Sequence, residues 1–206
     1  MSSESFKRFD AITDPDSRST GWVRMGHDGT ETRFDLVEHH RFLQSIVLDP
    51  LVPENLRDQF MTAKHLALYA WFVYRFHMTS SLQALTTLEY ALRERLVHTL
   101  PTTAGKGKNN SKSPMRPNLR GLLMQAIESG LVESLTIPGR LLPLESGDFD
   151  RESPEEWLRR LPALLADQRN RLAHGTFELM PSSGWTLLVV ADIINQLYRI
   201  ESTPST

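Results

Sequence analysis

The longest continuous helical pattern in this chain runs from Glu54 to His98, a stretch without a single proline or glycine. One helix of that length would be unusual for a small domain, where helices average about 11–12 residues. "TSS" at Thr79 to Ser81 offers an N-cap, so the pattern predicts two consecutive helices or one long bent one. In the second segment Leu82, Leu85, Leu88, Leu92 and Leu96 recur at three and four residues, a stripe that faces a core. Glu89 and Arg93 are four apart and read as a pair on the helix surface, worth about 0.3–0.5 kcal/mol if exposed. Upstream, "TRFDLVEHHRFLQSIVL" is ambiguous. Phe34, Leu36 and Val37 suit a short strand, whereas Phe42, Leu43, Ile46 and Val47 fit a helical stripe. Asp49 and Pro50 end it, and Pro53 suits the first turn of the next helix.

Downstream, "RPNLRGLLMQAIESGLV" predicts a short helix stopped by Gly130, followed by an irregular link with two prolines and two glycines, "LTIPGRLLPLESGDFD". "SPEE" is a strong start signal. Ser153 suits the N-cap, Pro154 the first helical position, and Glu156 the carboxylate of a capping box. The helix that follows heads toward Gly175, with Pro162 expected to kink or split it. "SGWTLLVVADIINQLYRI" reads as an apolar closing helix, although its Val and Ile content would also suit a strand. The expected class is all-α: an up-and-down bundle of about five helices over residues 51–201. Before it lies an N-terminal extension (1–50) of little regular structure, and after it a short frayed tail (202–206). Residues 1 to about 30, rich in Ser, Asp and Gly, read as a poorly ordered arm.

Composition narrows the function. The 206 residues carry no cysteine, which excludes disulfides and thiolate metal or redox sites and fits a cytoplasmic protein. The N-terminus has no apolar h-region. The most apolar run, "LALYAWFVYRF", is interrupted by Arg75 and is shorter than the ~20 residues a membrane span needs, so no membrane partner is expected. A net charge of −2 means that attraction to nucleic acid must come from a local patch. "GKGKNNSKSPMRPNLR" is such a patch. This loop bears Lys106, Lys108, Lys112 and Arg116 and no acid, and it reads either as a solubilising linker or as a weak nucleic-acid contact.

Candidate chemistry concentrates in "ADQRNRLAHG", Ala166 to Gly175. With Arg169 at zero on a helical wheel, Leu158, Leu161, Leu164, Leu165 and Leu172 fall between roughly 220° and 340°, the core stripe. Asp167, Asn170 and His174 fall on the other side, at roughly 100–160°. The bland reading is a solvated helix end, where cations interact favourably with the macrodipole by about 0.3–1 kcal/mol each. The chemical reading pairs a group that titrates near neutrality, His174, with a planar guanidinium for a phosphate, Arg169. Asn170 stands nearly above His174 and can hold the imidazole or a ribose hydroxyl, and the small Ala173 lets a neighbouring helix approach Arg169. Arg169 and His174 are about 140° apart on the helix, so both serve one phosphate only in a groove formed with a second helix. A two-fold dimer would provide that helix.

The pattern Arg169-Asn170-Arg171-Leu172-Ala173-His174, at the end of a late helix in an all-α domain, resembles the R-x4-H motif of the HEPN superfamily, helical domains common in prokaryotic toxin–antitoxin and phage-defence systems. "SSLQALTTLEYALRERL" is similar to the long first-half helix of such domains, where an LE-x-x-LR run is common. The resemblance spans roughly Glu54 to Ile200. It implies a metal-independent endoribonuclease without a cofactor, acting as a homodimer whose motifs face one another across an RNA-binding cleft. His174 would then activate the 2′-hydroxyl or protonate the leaving oxygen, Arg169 would stabilise phosphate charge, Asn170 would support them, and a 2′,3′-cyclic phosphate would result. An antitoxin or regulatory protein is the further partner implied. Some members carry a modifiable tyrosine two residues after the histidine, where this chain has Thr176.

Two rivals remain. One is a catalytically silent helical module that binds a partner protein, a nucleotide or RNA. The other is a metal enzyme, suggested only by "EHH" at Glu38 to His40. Adjacent histidines point in different directions, and no H-E-x-x-H spacing exists; His27, His65, His77 and His98 form no ligand cluster by spacing either.

Overall fold

A computed structural model describes residues 5–25, 30–96, 117–135, 153–175 and 183–199. Among them the architecture is all-α: α1 (Leu36–Ser45), α2 (Glu54–Tyr69), α3 (Phe76–Leu96), α4 (Leu119–Glu128), α5 (Pro154–Ala173) and α6 (Ser183–Leu197). Ahead of α1 lie a single 3-10 turn (Phe9–Ala11) and an antiparallel ribbon of β1 (Val23–Met25) with β2 (Glu31–Arg33). Among the described residues no helix is long and apolar enough to cross a membrane.

Helix α3 is the axis of the bundle, packing against α2, α4, α5 and α6. Its sequence explains why it can be enclosed on so many sides. Four members of the leucine stripe, Leu85, Leu88, Leu92 and Leu96, are fully buried and the fifth, Leu82, is half-buried; Ser80, Ser81, Ala84 and Ala91 are small enough to let neighbouring backbones approach. Each buried leucine contributes about 1.5–3 kcal/mol through the apolar surface it removes from water. The same core takes in Leu43 and Ile46 from α1 and its exit, Leu122 and Leu123 from α4, Leu161 and Leu165 from α5, and Leu187, Val190, Ile193 and Ile194 from α6.

Several element boundaries differ from the sequence reading. The long 54–98 pattern does break into two helices, but over residues 70–75, so "TSS" lies inside α3. No proline or glycine forces that break. It forms around Trp71, whose carbonyl leaves the helical ladder to accept the backbone N–H of Asp16 at 2.9 Å. Pro162 neither splits nor ends α5. It is buried within a continuous helix of 20 residues. The ambiguous "TRFDLVEHHRFLQ" contains both elements in turn, the end of β2 and then α1, capped by Asp35 onto the N–H of Glu38. The "SPEE" capping box is fully formed, with Ser153 and Glu156 bonding reciprocally.

The segment read as a poorly ordered arm is short on regular structure, yet it is anchored. Trp22 sits among Phe34, His39, Trp71, Tyr74 and His77, its ring centroid 5.5–6.4 Å from theirs. Asp16 pairs with Arg18 at 2.7 Å, and the Arg18 guanidinium lies 4.6 Å above the Tyr74 ring. That pairing holds the Asp16 carboxyl at about 2, against its usual 3.8. His39 donates Nε2–H to the Ala67 carbonyl, and His77 Nδ1 is hydrogen-bonded to Ser183 Oγ at 2.6 Å, tying the start of α3 to the start of α6. There α6 comes close to α1: a Cβ on Gly184 would lie 2.7 Å from Phe42 Cε1, so any larger residue would have to push the Phe42 ring aside.

Candidate active site

Helix α5 carries the motif, and three contacts fix its placement. Trp157 stacks on Trp185 of α6 at 6.2 Å, Gln168 donates to Thr186 Oγ1 at 2.9 Å, and Leu161 and Leu165 fill the core. These contacts turn the opposite edge of α5 toward α3 and the first turn of α4. The three helices enclose a cleft of about 190 Å³ lined by Glu89, Arg93, Pro117, Asn118, Leu119, Ala166, Arg169 and Asn170.

Two of the three motif residues therefore meet in one place. Arg169 and Asn170 line the cleft, whereas His174 is not among its walls. His174 is the exposed C-cap of α5, its backbone N–H still bonded to the Asn170 carbonyl at 3.0 Å. Gly175 follows with φ +79°, the left-handed turn that lets the chain leave the helix directly after the histidine. The wheel placed Asn170 and His174 away from the core, and both are exposed; it let Arg169 and His174 share a groove only beside a second helix, and the groove within this protomer takes Arg169 without His174. Ala173, expected to admit a neighbouring helix, is exposed instead. The small residue facing the cleft is Ala166. Arg171 lies on the solvent side, paired with Asp167 at 3.1 Å.

Sequence reasoning missed the anion at the base of the cleft. Glu89 and Arg93 do pair, but not on the surface: the Glu89 side chain is only 8% exposed. Arg93 donates Nη2–H to Glu89 Oε1. The Arg169 Nε lies 3.4 Å from Oε2, an ion-pair contact without hydrogen-bond alignment, so this buried N–H meets no acceptor among the described residues. One carboxylate is thus flanked by two guanidinium groups from different helices, whose side chains remain 45% and 36% exposed. Burying a carboxylate is costly unless it is paired, and that cost explains why both arginines turn inward. The signal in the sequence was Glu89 itself, an acid flanked by Leu88, Ala91 and Leu92, all of which are buried.

The other candidates fall elsewhere. Lys106, Lys108, Lys112 and Arg116 lie outside the described residues, as do Thr176 and the tail. In "EHH", Glu38 bonds Arg41, His39 is buried on the Ala67 carbonyl, and His40 is exposed. Among the described residues no group of three or more histidines or carboxylates is placed to hold a metal ion. Comparison with known proteins matches the chain to no family model, no curated protein and no solved structure.

Proposed function

We propose that this chain is a metal-independent endoribonuclease of the HEPN type, acting as a homodimer in a toxin or defence role. The observation that supports this reading is the cleft. Arg169 and Asn170 line it, the buried Glu89 carboxylate draws the guanidinium inward, and His174 stands exposed one turn beyond Asn170. A second protomer facing the end of α5 would bring two copies of His174 to one phosphodiester. One imidazole would take the proton from the ribose 2′-hydroxyl as that oxygen bonds to phosphorus. The other would give a proton to the 5′-oxygen as its bond to phosphorus breaks, leaving a 2′,3′-cyclic phosphate. Arg169 would neutralise the charge that builds on the non-bridging oxygens. RNA is then the substrate, and an antitoxin or regulatory protein is a further partner.

The test is incubation of purified protein with structured and single-stranded RNA in EDTA, beside His174→Ala and Arg169→Ala. The expected result is cleavage to cyclic phosphate ends by the wild type and a loss of about 100-fold or more in each variant. An inert wild type, or variants that cut as well as it does, would end this reading. The separation of His174 from the cleft walls favours one rival, a silent helical module that binds RNA, a nucleotide or a partner protein. A wild type that binds RNA without cutting it would favour that module.

A further inference from the structure

The geometry points to the cleft between α3, α4 and α5 as a binding site for a single phosphate ester, held by Arg93 together with Arg169 inside one protomer. This extends the nuclease reading by adding a ligand contact from α3, and it does not depend on cleavage taking place.

Glu89 supplies one negative charge and the two arginines supply two positive ones, so the cleft keeps a surplus positive charge in a chain whose net charge is −2. Neutralising a buried carboxylate requires one guanidinium. The second has no counter-charge among the cleft walls. Each guanidinium has five N–H donors in a planar fork. Among the described residues, one donor of Arg93 is bonded to Glu89, and the buried Arg169 Nε has no acceptor in bonding geometry. Glu89 therefore acts as a brace, holding two forks inward while leaving most of their donors unspent. Forks of this kind match the oxygens of a phosphate.

Size and lining select the ligand further. The cleft volume of about 190 Å³ falls below the ~300–1,000 Å³ of sites for drug-sized molecules, so a dinucleotide cofactor does not fit. It is several times the ~30 Å³ share of a water molecule, which suits a phosphate with the sugar attached to it. Pro117, Leu119 and Ala166 provide an apolar wall for that sugar. The Asn170 amide, and the amide nitrogen of Asn118 whose oxygen caps Gly121 N–H, provide N–H donors for the sugar oxygens. The phosphate ester can come from a free nucleotide or from an RNA backbone, and the binding chemistry is the same for both.

The test is equilibrium titration by calorimetry and phosphorus NMR with four probes: inorganic phosphate, uridine 3′-monophosphate, uridine, and a 2′-O-methyl oligouridylate without terminal phosphates. The last cannot be cleaved through its 2′-oxygen. The expected result is saturable binding of the mononucleotide, of the oligomer, or of both, with none for uridine. Binding of the mononucleotide alone identifies a free-nucleotide site, and binding of the oligomer identifies a backbone site. Arg93→Gln should weaken binding about tenfold or more, Arg93→Lys should restore part of it, and Arg171→Gln should leave it unchanged. Arg93→Gln also alters the brace, so Ala166→Leu serves as the second variant. It fills the cleft without touching an ionic group and should abolish binding at an unchanged melting temperature. Absence of binding by both phosphate esters, equal binding of uridine, or full binding by Arg93→Gln and Ala166→Leu would overturn the inference. A protein that binds these probes but cuts no RNA would refute the nuclease reading alone. One that cuts RNA with Arg93→Gln as fast as wild type, and binds no probe, would refute only this site.

Discussion

At Glu89 a carboxylate is buried together with its charge, flanked by two guanidinium groups that reach in from partly exposed positions. At His77 an imidazole is buried without one. Among the described residues its ring is hydrogen-bonded to Ser183 alone, its Nε2 meets no partner, and the rings of Trp22, Tyr74 and His39 surround it. Burial lowers the His77 pKa to about 4, the neighbouring His39 adds to the lowering, and Asp16 offsets part of it. His39 is lowered too, again chiefly by burial. Both clusters sit on α3 and both enclose an ionisable group, yet one surrounds it with two guanidinium groups and the other favours its neutral form. The difference suits their positions. The cleft opens to solvent beside the motif, whereas the aromatic nest fastens the N-terminal extension to the bundle.

The largest effect expected comes from emptying the charged cluster of its cations. Replacing Arg93 and Arg169 together with Gln strands the Glu89 carboxylate and should cost about 3–5 kcal/mol in chemical denaturation. Either single replacement leaves a partner in place and should cost far less. If the double variant were as stable as the singles, the carboxylate would not depend on its cations.

Acid should act on the other cluster. Above pH 6.5 His77 is neutral both folded and unfolded, so its stabilising contribution is fully present. Between pH 6.5 and about 4 only the unfolded chain takes up the proton, and stability should fall by about 3 kcal/mol across that window. His39 adds in the same direction. Asp16, held at about 2, keeps its full stabilising contribution down to its ordinary value of about 3.8 and loses it only below that, so it adds no slope in this range. Denaturation at pH 7, 5.5 and 4.5, followed by tryptophan fluorescence, measures the slope. His77→Gln should flatten it, and an unchanged slope in that variant would place the titration elsewhere.

The smallest effect expected is at the end of the motif helix. Gly175→Ala puts a side chain on a residue with φ +79° and should cost about 1 kcal/mol, read as a lower melting temperature. No change would mean that the turn after His174 relaxes freely.

What the sequence made legible was local. The capping box at Ser153, the leucine stripe of α3, the Gly130 stop and the exposure of Asn170 and His174 all follow from periodicity and capping, and all are present. What it hid was decided by packing between distant segments. At the break after Tyr69 the Trp71 carbonyl accepts the N–H of Asp16, more than fifty residues away along the chain. Glu89 and Arg93 read as a surface pair because four-residue spacing says nothing about a third partner, and α5 supplies that partner in Arg169. Trp22 was lost in a polar stretch, although a single large ring can anchor a segment that composition assigns to disorder.

His77 and Glu89 lie twelve residues apart on one uninterrupted helix, about 18 Å of rise. The nest and the cleft are therefore keyed to each other in phase as well as in distance. One residue inserted or deleted anywhere between them would turn one cluster by about 100° relative to the other. No side-chain substitution could restore both. This stretch of α3 can vary in composition on its exposed edge but not in length, and it works as a ruler whose graduations are turns.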